Sequence, residues 1–256
     1  MRKYLEIFKF NLKTKINFKV NFIFSLFSFT IHILVFNTLW DFILKGKTIL
    51  GYTKPELIWY IIIGEFITYT TSHNYRKISD MVKNGDIANM LTKPIDFVKY
   101  IFAEEASCIV NAVINLIFAS ILGSLMAGII NLSLVQIVMF ILSTILAIIL
   151  WISIQVFIGL LAFITEENEP FYLIISKAML LLVLTPLEFF PNIVQKVFIF
   201  LPTTYIAYPP AKIFVHFSSL QSIQLIIGQI TSLFFIFTVI YFLSIKGIKN
   251  ISVNGG

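Results

Sequence analysis

From Ala106 to Thr165 the chain runs for 60 residues without one charged side chain. A helix rises about 1.5 Å per residue and the hydrocarbon layer of a bilayer is about 30 Å thick, so a crossing takes roughly 20 residues. The run therefore predicts two crossings. Asn131-Leu132-Ser133 is the place for the turn between them, because Asn and Ser satisfy turn backbone groups with their own side chains. Four further apolar segments, 21–44, 57–73, 171–187 and 222–245, bring the expected number of membrane helices to six. The predicted fold class is an all-α integral membrane protein with six transmembrane helices.

Three stretches break this pattern. Asn74 to Tyr100 is a charged interlude between apolar segments, and since water must reach it, a soluble partner would dock there. Ahead of the first span, Leu5, Phe8, Leu12 and Ile16 repeat at helical spacing, opposite Arg2, Lys3, Glu6, Lys13 and Asn17. This predicts a helix over residues 1–20 lying in the cytoplasmic interface; a plain basic flank that only fixes orientation is the alternative. The apolar segment that follows is longer than the roughly 7–15 residues of a signal-peptide core and lacks a small-residue cleavage site, so no cleavable signal is expected. The third stretch, 188–220, holds or adjoins five of the eight prolines: Pro186, Pro191, Pro202, Pro209 and Pro210. Proline removes a backbone donor and stops a helix, yet 197–201 and 213–215 are too apolar for a free aqueous loop. Short re-entrant helices before the last span are expected, buried in protein or lining a wet cavity. The alternative is two weak extra crossings, against which Lys196 and Lys212 count.

Composition agrees: 58% of residues are hydrophobic, 12% are charged, and the mean hydropathy is +0.92. Basic flanks of membrane helices are retained in the cytoplasm. Of the 19 Lys and Arg residues, six precede the first span (Arg2, Lys3, Lys9, Lys13, Lys15, Lys19), five lie in the interlude (Arg76, Lys77, Lys83, Lys93, Lys99) and two follow the last span (Lys246, Lys249). With an even number of spans these share one side, against Lys45, Lys47, Lys54, Lys196 and Lys212 on the other, while Lys177 falls within the fifth span. Both termini are thus expected to be cytoplasmic. The net charge of +6 follows from topology and headgroup attraction and gives no ground for nucleic-acid binding. The single Cys108 excludes an internal disulfide, and no cluster of Cys and His suggests a metal.

Within the interlude stands Val82-Lys-Asn-Gly85-Asp86-Ile87-Ala88-Asn-Met-Leu91-Thr-Lys93-Pro94-Ile95-Asp96. It resembles the "Gly-Asp-Ile-Ala … Leu-x-Arg/Lys-Pro" signature of one branch of the permease subunits of type-2 ATP-binding-cassette exporters. The order of an interfacial helix, six spans, a long loop after the second and re-entrant helices before the sixth is similar to that family along nearly the whole chain. The resemblance implies cytoplasmic ATPase subunits as partners and a second permease (a related chain or another copy of this one), while the richness in Lys, Ile, Asn and Phe, with only two arginines, suggests an AT-rich bacterial genome and hence the cell membrane. The resemblance implies no cofactor in this chain, ATP and Mg being held by the partner ATPase. It also implies that Met81, Val82, Gly85, Asp86, Ile87, Leu91, Lys93 and Pro94 couple to that ATPase.

The residue types suit the role. Gly85 can end a short helix in a left-handed conformation. Asp86 can cap the next one, and Pro94 can stop it while restricting Lys93. Ile78, Met81, Val82, Ile87, Met90 and Leu91 give an apolar face suited to a partner's groove, or alternatively to lipid headgroups. The acidic turn 165–170 would face the same partner or stand as a solvated turn. Inside the membrane, Glu65 near the middle of the second span costs about 2.5–3.5 kcal/mol if ionised, so it should face protein or water. In the resembled family the second and fifth spans flank the substrate path. Glu65 and Lys177 are thus expected to line or gate a translocation path, unless they form a static pair.

His32, His73 and His216 read as hydrogen-bonded membrane histidines, and Ser107, Asn111 and Asn115 as a polar stripe joining helices. Gly46-Lys47-Thr48 ends like a nucleotide-binding loop, but Asp41 occupies its first glycine position and no strand precedes it, so ATP hydrolysis is not expected here. An intramembrane Ser/His protease lacks a nucleophile motif. A secondary transporter or substrate-binding component remains the rival reading, and it predicts function without an ATPase. The apolar, aromatic-rich spans favour a hydrophobic, amphipathic or peptide cargo.

Overall fold

The computed structural model describes residues 2–17, 19–70, 74–87, 92, 95–165 and 168–254, and is all-helical apart from one β-bridge, Ile49 to Tyr52. In chain order the helices are α1 (Arg2–Asn17), α2 (Lys19–Leu44), α3 (Lys54–Thr68), α4 (Asn74–Lys83), α5 (Phe97–Ala106), α6 (Cys108–Ala127), α7 (Leu134–Leu160), α8 (Glu169–Leu184), α9 (Asn192–Phe200), α10 (Thr204–Val215) and α11 (Ser219–Asn254). Among the described residues, Leu26–Leu44, Phe97–Ala127, Leu134–Phe163 and Ser219–Ile245 are long and apolar enough to cross a membrane. They coincide with the expected first, third, fourth and sixth spans.

The other two expected spans are shorter than read from sequence. At about 1.5 Å per residue, the 15 residues of α3 and 16 of α8 fall short of an approximately 30 Å layer. Helix α3 stops at Thr68 rather than 73, and residues 71–73, His73 included, lie outside the described ones. Helix α8 stops at Leu184 because Thr185, ahead of Pro186, is extended. Helix α3 is apolar on every side and is buried from Leu57 to Ile67, packed against α2, α6, α8 and α10. Its tyrosine and tryptophan still reach acceptors: the Tyr60 hydroxyl donates to the Leu182 carbonyl at 2.8 Å and the Trp59 indole to that of Gly128 at 2.9 Å.

The turn after α6 falls where Asn131 and Ser133 predict it, and Ser133 caps α7 in a capping box with Gln136. Gln136 also donates to the Ile213 and Phe214 carbonyls, at 3.1 and 2.7 Å, and so closes the C-terminus of α10. The proline-rich segment forms α9, with Ile193 and Phe200 exposed, and α10, buried among α3, α7 and α11. Pro209 leaves the Tyr205 carbonyl without its intrahelical donor. Gln229 of α11 supplies one at 3.1 Å, while also donating to the Ser143 carbonyl and accepting from the Ser143 hydroxyl, each at 3.0 Å. Broken backbone is thus satisfied by a neighbouring helix. Helix α1 packs on α5; of its expected apolar face Phe8 and Leu12 are half-buried, Leu5 is 54% exposed and the Ile16 side chain lies outside the described residues.

Candidate functional site

Helix α4 opens the charged interlude and is tied to the acidic turn before α8. The Arg76 guanidinium grips Glu169 in a two-pronged contact, Nη2 to Oε1 at 2.6 Å and Nε to Oε2 at 3.1 Å, and the Tyr75 hydroxyl donates to Oε2 at 2.7 Å. Burial and the Glu169 hydrogen bond push the Tyr75 phenol up to about 12. The Tyr75 ring stacks on Tyr172 of α8, with centroids 4.1 Å apart and planes 14° from parallel. On the far side of α4, Lys77 contacts both oxygens of Glu104 at 2.6 Å. Burial alone would lower the Lys77 ammonium, but the bond and charge of Glu104 outweigh it and raise it. Glu169 thus ties the end of the acidic turn to α4, Glu166 and Glu167 lying outside the described residues, and Asn168 closes α7 by donating to the Ile158 and Gly159 carbonyls.

The predicted coupling residues divide. Gly85 has φ +75°, the left-handed close expected after α4. Helical backbone resumes at Asp86 itself, so Asp86 lies within the first turn rather than ahead of it as expected. Ile78 and Ile87 are buried in this chain, Ile78 over Gly159, and are not available to a partner's groove. Met81 and Val82 are half-buried, while Lys83, Asn84, Gly85 and Asp86 are exposed. Leu91, Lys93 and Pro94, with Met90, lie outside the described residues.

Glu65 and Lys177 do line one cavity, of about 390 Å³, together with His32, Tyr69, Trp151, Tyr172 and Met179. Because α3 ends early, Glu65 sits in its last turn and not mid-span. Its carboxylate partner is His32 Nδ1, at 3.0 Å, rather than Lys177, which has no ion pair among the described residues. Nothing in the spacing of His32 and Glu65 announces this contact, since the two lie on separate helices. Of the other polar residues, Ser107 donates to the Glu104 carbonyl, Asn115 is buried, the Asn111 side chain is outside the description, and His216 meets Tyr52 edge to face.

A second buried cluster was not foreseen. Lys212 of α10, expected on the outer face, is 6% exposed and meets Glu188 Oε1 at 2.6 Å and the Tyr52 hydroxyl at 2.7 Å. Tyr208 donates to Glu188 Oε1 at 2.9 Å and Tyr52 to Oε2 at 3.2 Å. Burial pushes the Glu188 carboxyl up, but the Lys212 ammonium overcomes this and holds it below the usual range. The pair pins α10 to the segment after α8.

Long apolar helices, a largely apolar cavity holding Glu65, His32 and Lys177, and a charged element clamped to the cavity wall fit a membrane transport component. Residues 26–255 match the family described as ABC-2 family transporter protein, and the chain belongs to it. It is the permease component of an ATP-binding-cassette transporter, and members of this family work in the membrane with separate ATPase subunits. A comparison with curated proteins returns no match.

Proposed function

We propose that this permease, with a second permease chain, encloses the path of an ATP-driven exporter in a bacterial cell membrane. The chain is then one transmembrane domain over 1–256 with six crossings and both termini cytoplasmic. Residues 1–20 lie in the interface, 75–99 form the coupling loop and 188–220 the external re-entrant region. The distribution of Lys and Arg supports this orientation. The use of Lys with only two arginines, Arg2 and Arg76, favours an AT-rich bacterial source. Cytoplasmic ATPases, which hold ATP and Mg, press on the loop at Met81, Val82, Gly85, Asp86, Leu91, Lys93 and Pro94, with the buried Ile87 seating the loop on this chain. The cargo is a small hydrophobic, amphipathic or peptide molecule that passes Glu65 and Lys177.

The observation that carries this reading is the Tyr75–Tyr172 stack beside the Arg76–Glu169 clamp. Tyr172 also lines the Glu65 cavity, so a push on α4 has a short, rigid route to the cavity wall. Purification from the native host in mild detergent is expected to bring an ATPase and a second permease with this chain; recovery of the chain alone overturns the proposal. Tyr75→Ala is expected to leave that assembly intact and to cut transport per ATP hydrolysed by at least about fivefold, the low end of ordinary coupling energies. Glu65→Gln with full export and normal folding would remove Glu65 from the path.

A further inference from the structure

We infer that the Glu65 cavity takes an amphipathic anion, with its carboxylate or phosphate at the Lys177 ammonium; this rests on the transport reading above. The cavity is lined by one carboxylate and two potential cations. Glu65 is 3% exposed and already engaged by His32, so it offers an incoming molecule little. Lys177 is exposed and has no ion pair among the described residues. Three wall hydroxyls give their protons to protein acceptors and have none left for an anion: Thr68 donates to the Glu65 carbonyl, Ser176 to that of Leu173 and Tyr69 to Ser28.

The Lys177 ammonium is thus the charged donor of this wall without a carboxylate among the described residues, and the partner it lacks is an acceptor. An ammonium within an apolar helix such as α8 is costly unless an anion faces it, which makes the acceptor a charged one. Leu173, Met179 and Leu180 and the Tyr172 ring supply an apolar surface beside the ammonium, and so the ligand needs a hydrophobic body as well as an acidic head.

Calorimetric titration of the purified assembly in dodecyl maltoside, with dodecyl phosphate and separately with dodecyltrimethylammonium, tests this. The phosphate is expected to bind at least about tenfold more tightly than the cation, and Lys177→Gln to weaken it by about tenfold, the order a charge-assisted hydrogen bond supplies. Lys177→Arg should stay within about threefold of the parent, since the charge is retained. Equal affinity for the two amphiphiles, or an unaltered affinity in a well-folded Lys177→Gln, overturns the inference. Repeating the titration in nanodiscs with and without phosphatidylglycerol identifies the source: competition means that a bilayer lipid supplies the anion, and its absence that a free amphiphile does. Either result supports the site. A chain that binds the anion but brings no ATPase overturns the transport reading alone; an intact assembly that ignores the anion overturns the site alone.

Discussion

Lys212 shows how far a residue's role depends on its surroundings. As a sequence letter it is one of the cations that mark the outer face; in the fold it is a buried donor to Glu188 and Tyr52. Breaking such a pair leaves a charge without compensation, so Lys212→Met is expected to cost about 3 kcal/mol in thermal unfolding, with Glu188→Leu in the same chain recovering part of it. The pH dependence has a definite sign. Glu188 is held below its ordinary value of 4.5, so its contribution is present above about 4.5 and is lost as pH falls through the depressed folded value. Glu188→Gln should flatten that acid limb of a melting-temperature profile. Gln229 makes a comparable case. Gln229→Leu removes the donor to the carbonyl freed by Pro209 and should cost about 1–3 kcal/mol. Pro209→Ala restores an N–H for that carbonyl, so it should be more favourable beside Gln229→Leu than alone; additive melting shifts would refute the account.

Among the elements, α4 separates local pattern from tertiary use. Its apolar face was legible, as was the left-handed close at Gly85, because both follow from helical period and backbone sterics. The destination of that face was not. Ile78 packs over Gly159, where an added Cβ would stand 2.6 Å from the Ile78 Cβ, and this close approach needs the missing side chain. Gly159→Ala is expected to destabilise the contact by about 1–3 kcal/mol and to raise hydrogen exchange in α4 while leaving that of α10 unchanged. Similarly, the acidic turn read as solvated or partner-facing, because no spacing rule connects Glu169 with Arg76 across so much chain. The interfacial pattern of α1 was legible only in part, since Phe8 and Leu12 are half-buried while Leu5 is left exposed.

The orientation of the two faces is a property of the whole molecule and is read by labelling from one side. In a Cys108→Ser background, a cysteine at Asn84 in intact cells should resist an impermeant thiol reagent added outside, whereas one at Ile193 on α9, which is 79% exposed, should react. The reverse labelling pattern would invert the proposed arrangement, and with it the access of a cytoplasmic ATPase to the interlude.

Solvent class, the four long apolar helices, the turn at 131–133 and the family were legible in sequence, because each is a property of consecutive residues and of the length a bilayer demands. Tertiary structure decided that α3 and α8 are short, with α3 buried, that His32 rather than Lys177 holds Glu65, and that Gln229 repairs the break at Pro209. Those contacts join helices distant along the chain. Their partners are selected by which polar groups packing brings within hydrogen-bond reach once water is excluded, and no local period encodes that choice.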